Sequence, residues 1–171
     1  MNLQVCLYII VLIYVREGDT GGACHYFSEN KLDWFDALFA CQKKKLCLAN
    51  FDTKEAFDDL PRKFNITDEY WIGLNGYEKN VLRYVSNNEG VKYMPPEATI
   101  NVEQPCIFLK PIFQGKLTFE SDYCLRRRRY VCSSAVICNG VATNSTYKDK
   151  YSTELPCDMS DIVKDVIGIP K

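Results

Sequence analysis

The sequence predicts an α+β domain stapled by disulfides. Two helix-spaced apolar segments come early, six short strand-like segments follow, and nine cysteines punctuate 171 residues. That length suits one domain. Apolar residues make up 47% and charged residues 25%, a mixture that excludes wholesale disorder. Lys and Arg number 21 against 22 Asp and Glu, a net charge of −1. A nucleic-acid binder carries a basic excess, so nucleic acid is not an expected partner. With one histidine in the chain, any Ser-His-Asp or Cys-His catalyst has to use His25.

Residues 1–22 read as a signal peptide. Val5 to Val15 is an unbroken apolar run, shorter than the ~20 residues that cross a bilayer. Charged Arg16, Glu17 and Asp19 follow, then small Gly21, Gly22 and Ala23, where cleavage fits. Cleavage removes Cys6 and leaves an even set of cysteines for an oxidising compartment. The sequons Asn65-Ile66-Thr67 and Asn144-Ser145-Thr146 make Asn65 and Asn144 glycan acceptors in an exported chain. A secreted protein with no membrane span is expected.

The first helix is expected from Asp33 to Lys44, with Trp34, Ala37 and Cys41 on its buried stripe and Lys43, Lys44 and Lys45 at its carboxyl end. Leu46 to Ala49 reads as a short buried strand. Asp52 is expected to open the second helix, with Glu55 three residues on as in a capping box. Ala56, Phe57, Leu60 and Phe64 form its apolar face, and Pro61 is expected to kink or shorten it. Strands are then expected at Tyr70–Leu74, Leu82–Ser86, Val91–Met94, Cys106–Lys110, Lys116–Cys124 and Arg129–Cys132, with a loop between Met94 and Cys106. After Cys132 the chain turns polar. It ends in a short amphipathic piece with Ser160 as cap, an Ile162, Val163, Val166 and Ile167 stripe, and Gly168 and Pro170 as stops. Docking of that stripe on the chain's own domain is the expected use.

The ordered set Trp34-x-x-Ala37-x-x-x-Cys41, Leu48-Ala49, Glu55, Trp71-Ile72-Gly73-Leu74, Pro105-Cys106, Cys124 and Tyr130-Val131-Cys132 resembles the C-type lectin-like domain. The likeness covers roughly residues 24–132. It divides the chain into the signal peptide 1–22, a lectin-like domain 24–134 and a disulfide-tethered tail 135–171. The resemblance implies two helices, short antiparallel sheets and a long loop. It makes Trp71 to Leu74 the central core strand, with Gly73 a site of close backbone approach. It also implies the bridges Cys41–Cys132 and Cys106–Cys124. Cys24, Cys47, Cys138 and Cys157 then have three possible pairings, of which Cys24–Cys47 with Cys138–Cys157 keeps each bridge within its own segment.

Sugar-binding members of that family hold calcium with a Glu-Pro-Asn or Gln-Pro-Asp word in the long loop, a later Glu, and an Asn-Asp pair after Trp. Here the loop offers Pro95-Pro96-Glu97, and Glu103-Gln104-Pro105 abuts Cys106. The Trp-Asn-Asp position holds Phe119-Glu120-Ser121, and Asp122, one residue along a strand, points to the other face. Glu97, Glu103 and Glu120 are the acids left to gather around an ion, and a stable calcium site needs more converging ligands than that. No cofactor is expected; calcium, for which Glu97, Glu103 and Glu120 are the weak candidates, is disfavoured.

The expected function is recognition of a carbohydrate or glycoconjugate without a complete calcium site; the alternative is a protein–protein module of the same fold. Ligand candidates are Glu97, Asn101 and Glu103 in the loop and two basic runs, Lys43-Lys44-Lys45 and Arg126-Arg127-Arg128-Arg129. If Cys41 and Cys132 are bonded, both runs leave from one corner, and an anionic glycan or acidic extracellular protein suits that charge. An enzyme is not expected. Phosphate-binding, dinucleotide and metalloprotease motifs are absent, Asp58 and Asp59 diverge on adjacent helix positions, and His25 reads as structural.

Overall fold

The computed structural model describes residues 25–78, 81–133, 161–166 and 168. The expected signal peptide, Cys24, Cys138, Asn144, Cys157, Ser160, Ile167 and Pro170 lie outside the described residues, as does most of the tail. The elements are β1 (His25–Phe27), α1 (Trp34–Lys43), β2 (Cys47–Leu48), α2 (Lys54–Asp58), α3 (Leu60–Lys63), β3 (Tyr70–Glu78), β4 (Val81–Tyr84), β5 (Cys106–Pro111), a 3₁₀ turn (Phe113–Gly115), β6 (Leu117–Asp122), β7 (Arg129–Ser133) and α4 (Asp161–Val166).

The strands form one seven-stranded sheet of order β1-β7-β3-β5-β6, with β2 on β7 and β4 on β3. The β3–β7 pair is parallel and the other pairs are antiparallel, so the sheet is mixed. Along β3 the side chains alternate between two cores. Trp71 joins Trp34, Ala37, Leu38 and Cys41 of α1. Tyr70, Ile72 and Leu74 join Phe57, Leu60, Ile107 and Phe119 on the other face. Each Trp indole keeps a polar partner: Trp34 Nε1 donates to Ile72 O at 2.9 Å, and Trp71 Nε1 to Leu32 O and Arg126 O at 3.1 and 3.2 Å.

The first helix starts where expected, with the Asp33 carboxylate accepting from Asp36 N at 2.9 Å. It stops at a Schellman turn: Leu46 N donates to Cys41 O and Lys45 N to Gln42 O, with Lys45 left-handed at φ 58° where glycine is usual. The second helix departs from expectation at its start. Thr53, not Asp52, caps α2, its hydroxyl accepting from Ala56 N at 3.1 Å. Asp52 is half-buried, and burial pushes its carboxyl up, against the hydrogen bond from Asn50. Pro61 divides the segment into α2 and α3, because it sits at the first turn of a new helix, where its missing N–H is harmless. Val91–Met94 is not a strand; Val91 N reaches Leu82 O at 3.0 Å without a ladder. Three residues absent from the expected strands, His25–Phe27, form β1 against β7.

Cys41–Cys132 ties α1 to β7 and Cys106–Cys124 ties β5 to the chain after β6, with Cα separations of 5.5 and 5.1 Å. Cys47 is also disulfide-bonded. In α4, Val163 enters the α1 core at 3% exposure, whereas Ile162 and Val166 stay about half exposed. Of the three described residues of the expected stripe, Val163 docks.

His25 stacks on Phe51 at 5.2 Å between centroids and meets Phe64 edge-on at 6.3 Å. Its Nε2 has no hydrogen-bond partner among the described residues. Burial, aided by Lys63, lowers its pKa to about 4. The unfolded chain therefore binds the proton more tightly, and stability present above pH 6.5 is lost as pH falls toward 4. The loss is about 3 kcal/mol at most. In urea titrations across that window, His25→Phe flattens the slope; an unchanged slope removes His25 as its cause.

Candidate functional site

The long loop from Val85 to Pro105 lies against the free edge of β6, where unpaired backbone groups would otherwise face solvent. Thr99 N donates to Phe119 O at 3.0 Å, and Ser121 N to Thr99 O at 3.3 Å. One step on, Asn101 N donates to Ser121 Oγ at 2.7 Å, and that hydroxyl lies 3.4 Å from Asn101 O. Farther along, Gln104 N reaches Asn101 O and Gly76 N reaches Pro105 O. The loop is thus a tethered wall rather than a free flap.

These bonds lie at the positions to which the family resemblance assigns calcium ligands. Ser121 is a loop anchor. Glu120 meets Lys110 through both carboxylate oxygens at 2.9 and 3.0 Å. Asp122 faces Arg128, Oδ2 to Nη2 at 2.7 Å. Asn101 Oδ1 accepts from Glu103 N at 3.0 Å, closing an Asx turn. Among the described residues no three His, Cys, Asp or Glu side chains converge as a metal set. Calcium requires six to eight hard oxygens, and the carboxylates nearest this position are neutralised by Lys110 and Arg128, so the donor set does not fit the ion.

The two basic runs do not share one corner. Trp34 N, at the start of α1, donates to Cys124 O, and Leu32 pairs with Arg128, so the arginines gather at the amino end of the helix. The lysines leave its carboxyl end, about 15 Å away along a ten-residue helix. The disulfide does not bring the runs together because two residues of extended β7, Tyr130 and Val131, separate Arg129 from Cys132. Most of these cations also have intramolecular work. Lys44 lies 4.3 Å over the Tyr26 ring. Arg127 donates twice to Lys31 O. Arg128 pairs with Glu69 and Asp122, and Arg129 with Asp68. Lys43, Lys45 and Arg126 are exposed.

A second surface borders the start of the loop. A groove of about 330 Å³ lies between α2–α3, residues 93–97 and the turn joining β5 to β6. Glu97 is on its rim. Tyr93 and Lys116, both missed by sequence reasoning, are its other polar groups of interest. The elements that place them are far apart in sequence; the only sequence hint is the Gln114-Gly115 turn, whose residues are both left-handed, at φ 63° and 70°. Asn65, a sequon residue, is exposed beyond α3.

No family model matches the chain, and no curated protein does either. Solved structures do. The mouse scavenger receptor C-type lectin carbohydrate-recognition domain is 21% identical, with a TM-score of 0.52 over 64% of this chain and 85% of that one. A calcium-independent type II antifreeze protein is 17% identical, with a TM-score of 0.56 over 66% and 85%. Human lithostathine is 21% identical, with a TM-score of 0.53 over 68% and 95%. The parallel β3–β7 centre, the α1–β7 bridge, the bridge across the loop base and these matches together establish that the chain has the C-type lectin-like fold.

Proposed function

We propose that this chain is a secreted recognition domain that binds a glycan without calcium. One observation carries the reading: the Ser121 hydroxyl, at the position of a calcium-binding carboxylate, is bonded to the Asn101 backbone at 2.7 Å. The loop therefore takes its shape from protein hydrogen bonds, and an ion is not needed to order it. A pre-formed wall lowers the ordering entropy lost on binding. Support for recognition rather than catalysis comes from the binding domains that share the fold and from His25, which faces two phenyl rings and whose Nε2 has no hydrogen-bond partner among the described residues. For export, the support is the apolar leader and the exposed Asn65 sequon; no helix among the described residues is long and apolar enough to cross a membrane.

The test is a glycan array probed with the full secreted protein in calcium and again in chelator. The expected result is the same set of bound glycans at the same intensity in both. Signals lost in chelator overturn the calcium-free mode. An empty array, with capture of an extracellular protein instead, favours the interaction-module reading.

A further inference from the structure

The groove beside α2 has the chemistry of a sugar site. Its floor is aromatic: Phe57 is buried, and Tyr93 packs on it at 5.5 Å between centroids, half exposed toward the groove. A half-exposed tyrosine offers a flat apolar face with a polar tip, which suits the C–H face of a pyranose ring and one of its hydroxyls. Five charged side chains line the same space, three cations and two anions. Lys54 is held by Asp58, and Arg62 by Asp59 outside the lining. Lys116 and Glu97 remain. Both are exposed and face one cavity, and neither makes an ion pair or side-chain hydrogen bond among the described residues. Two opposite charges that share a groove without satisfying each other are set for separate groups on a ligand. Lys116 offers an ammonium to an anionic substituent, and Glu97 offers acceptor oxygens to hydroxyls. Lys54 and Arg62 are engaged by carboxylates, so Lys116 is the cation of the lining left to meet an anionic group on a ligand.

We propose that this groove binds an acidic sugar, its ring on Tyr93, its carboxylate or sulfate on Lys116 and its hydroxyls on Glu97. The proposal rests on the glycan-binding reading and gives it a place and a ligand class. It also moves recognition from the loop–β6 contact, where the carboxylates are already neutralised, to the other side of the same loop. Prolines 61, 95 and 96 stiffen two of its walls, so little ordering is lost when a ring enters.

The test titrates the full secreted protein, by calorimetry and amide-shift NMR, with three probes. They are a sulfated and an unsulfated tetrasaccharide of alternating hexuronic acid and hexosamine, and a neutral hexose tetrasaccharide. Expected are binding of an acidic probe over the neutral one, shifts at Gly115 and Lys116, and weakening with added salt. Sulfated over unsulfated binding assigns the anion at Lys116 to sulfate; equal binding assigns it to the carboxylate. Lys116→Glu, a change at an exposed side chain, weakens binding about tenfold, while Arg126→Glu on the far arginine loop leaves it unchanged. Tyr93→Phe keeps the ring and retains most of the affinity. If an acidic or neutral sugar binds with Lys116→Glu unaffected, the groove is wrong and the glycan reading stands. If no probe binds here and the array is empty, both fall.

Discussion

Gly73→Ala lowers stability by about 3 kcal/mol, the upper end of what an inserted methyl group does to a packed core. An added Cβ would lie 2.6 Å from Leu48 O, 3.1 Å from Val85 Cγ2 and 3.2 Å from Ala49 O. Two of those three neighbours are backbone and cannot rotate away. Nor can the strands separate cheaply. Gly73 N donates to Ala49 O at 2.8 Å, Val85 N donates to Gly73 O at 2.9 Å, and Leu48 is paired with Cys132, itself bonded to Cys41. The crossing is therefore held from both sides, and the strain spreads into both cores. Gly76→Ala is the control: its nearest neighbour is the end of the Leu82 side chain at 3.4 Å, and a loss under about 1 kcal/mol is expected. Urea midpoints at constant slope report the difference. Equal midpoints for the two variants would mean that β2 and β3 separate more easily than the hydrogen bonds indicate.

Gly73 also marks how far the sequence was legible. Its neighbours Trp71, Ile72 and Leu74 form an apolar run around a glycine, which is readable as a buried strand approached by another backbone. The same holds for α1, where the Trp34, Ala37 and Cys41 spacing leaves one helical stripe, and for the four cysteines of the two observed bridges, whose pairing came from the family likeness. Local signals failed where a tertiary partner decides the outcome. His25–Phe27 is too short to read as a strand until β7 supplies its ladder, and Val91–Met94 has strand composition but no ladder partner. Thr53 and Asp52 are both good caps, and only the burial of Asp52 beside Asn50 selects Thr53.

The candidate site was legible in its omissions more than its contents. Ser121 could be read as the loss of a carboxylate, but its bond to Asn101, twenty residues away, could not. Glu97 was found because it stands in the loop. Tyr93 fell in a supposed strand and Lys116 at the edge of another, so nothing local set them facing Glu97. The arginine run shows the opposite error. Four consecutive cations look like a patch in one dimension, yet strand alternation and a turn send them to four environments, and Arg128 goes inward.

Arg128→Ala lowers stability by about 3 kcal/mol, the low end of what breaking a buried ion pair does, because Glu69 keeps some contact with water. The Arg128 side chain is 14% exposed, and its guanidinium pairs with Glu69 at 2.8 Å and Asp122 at 2.7 Å and lies 3.9 Å over Phe108 and 4.7 Å over Trp71. Removing it leaves Asp122, itself 20% exposed, without its cation and uncovers two rings. Arg128→Met separates these effects. It keeps apolar cover on Phe108 and Trp71 but leaves the carboxylates unpaired, so most of the loss remains if charge dominates. Adding Asp122→Asn to Arg128→Met then recovers about 1–3 kcal/mol of coupling. Arg128→Lys keeps the charge without the planar fork, and it falls between wild type and Met. A double variant no more stable than Arg128→Met would place the loss in ring packing. In that case the Arg128 backbone, which exchanges two hydrogen bonds with Leu32, holds the arginine turn without help from the ion pair.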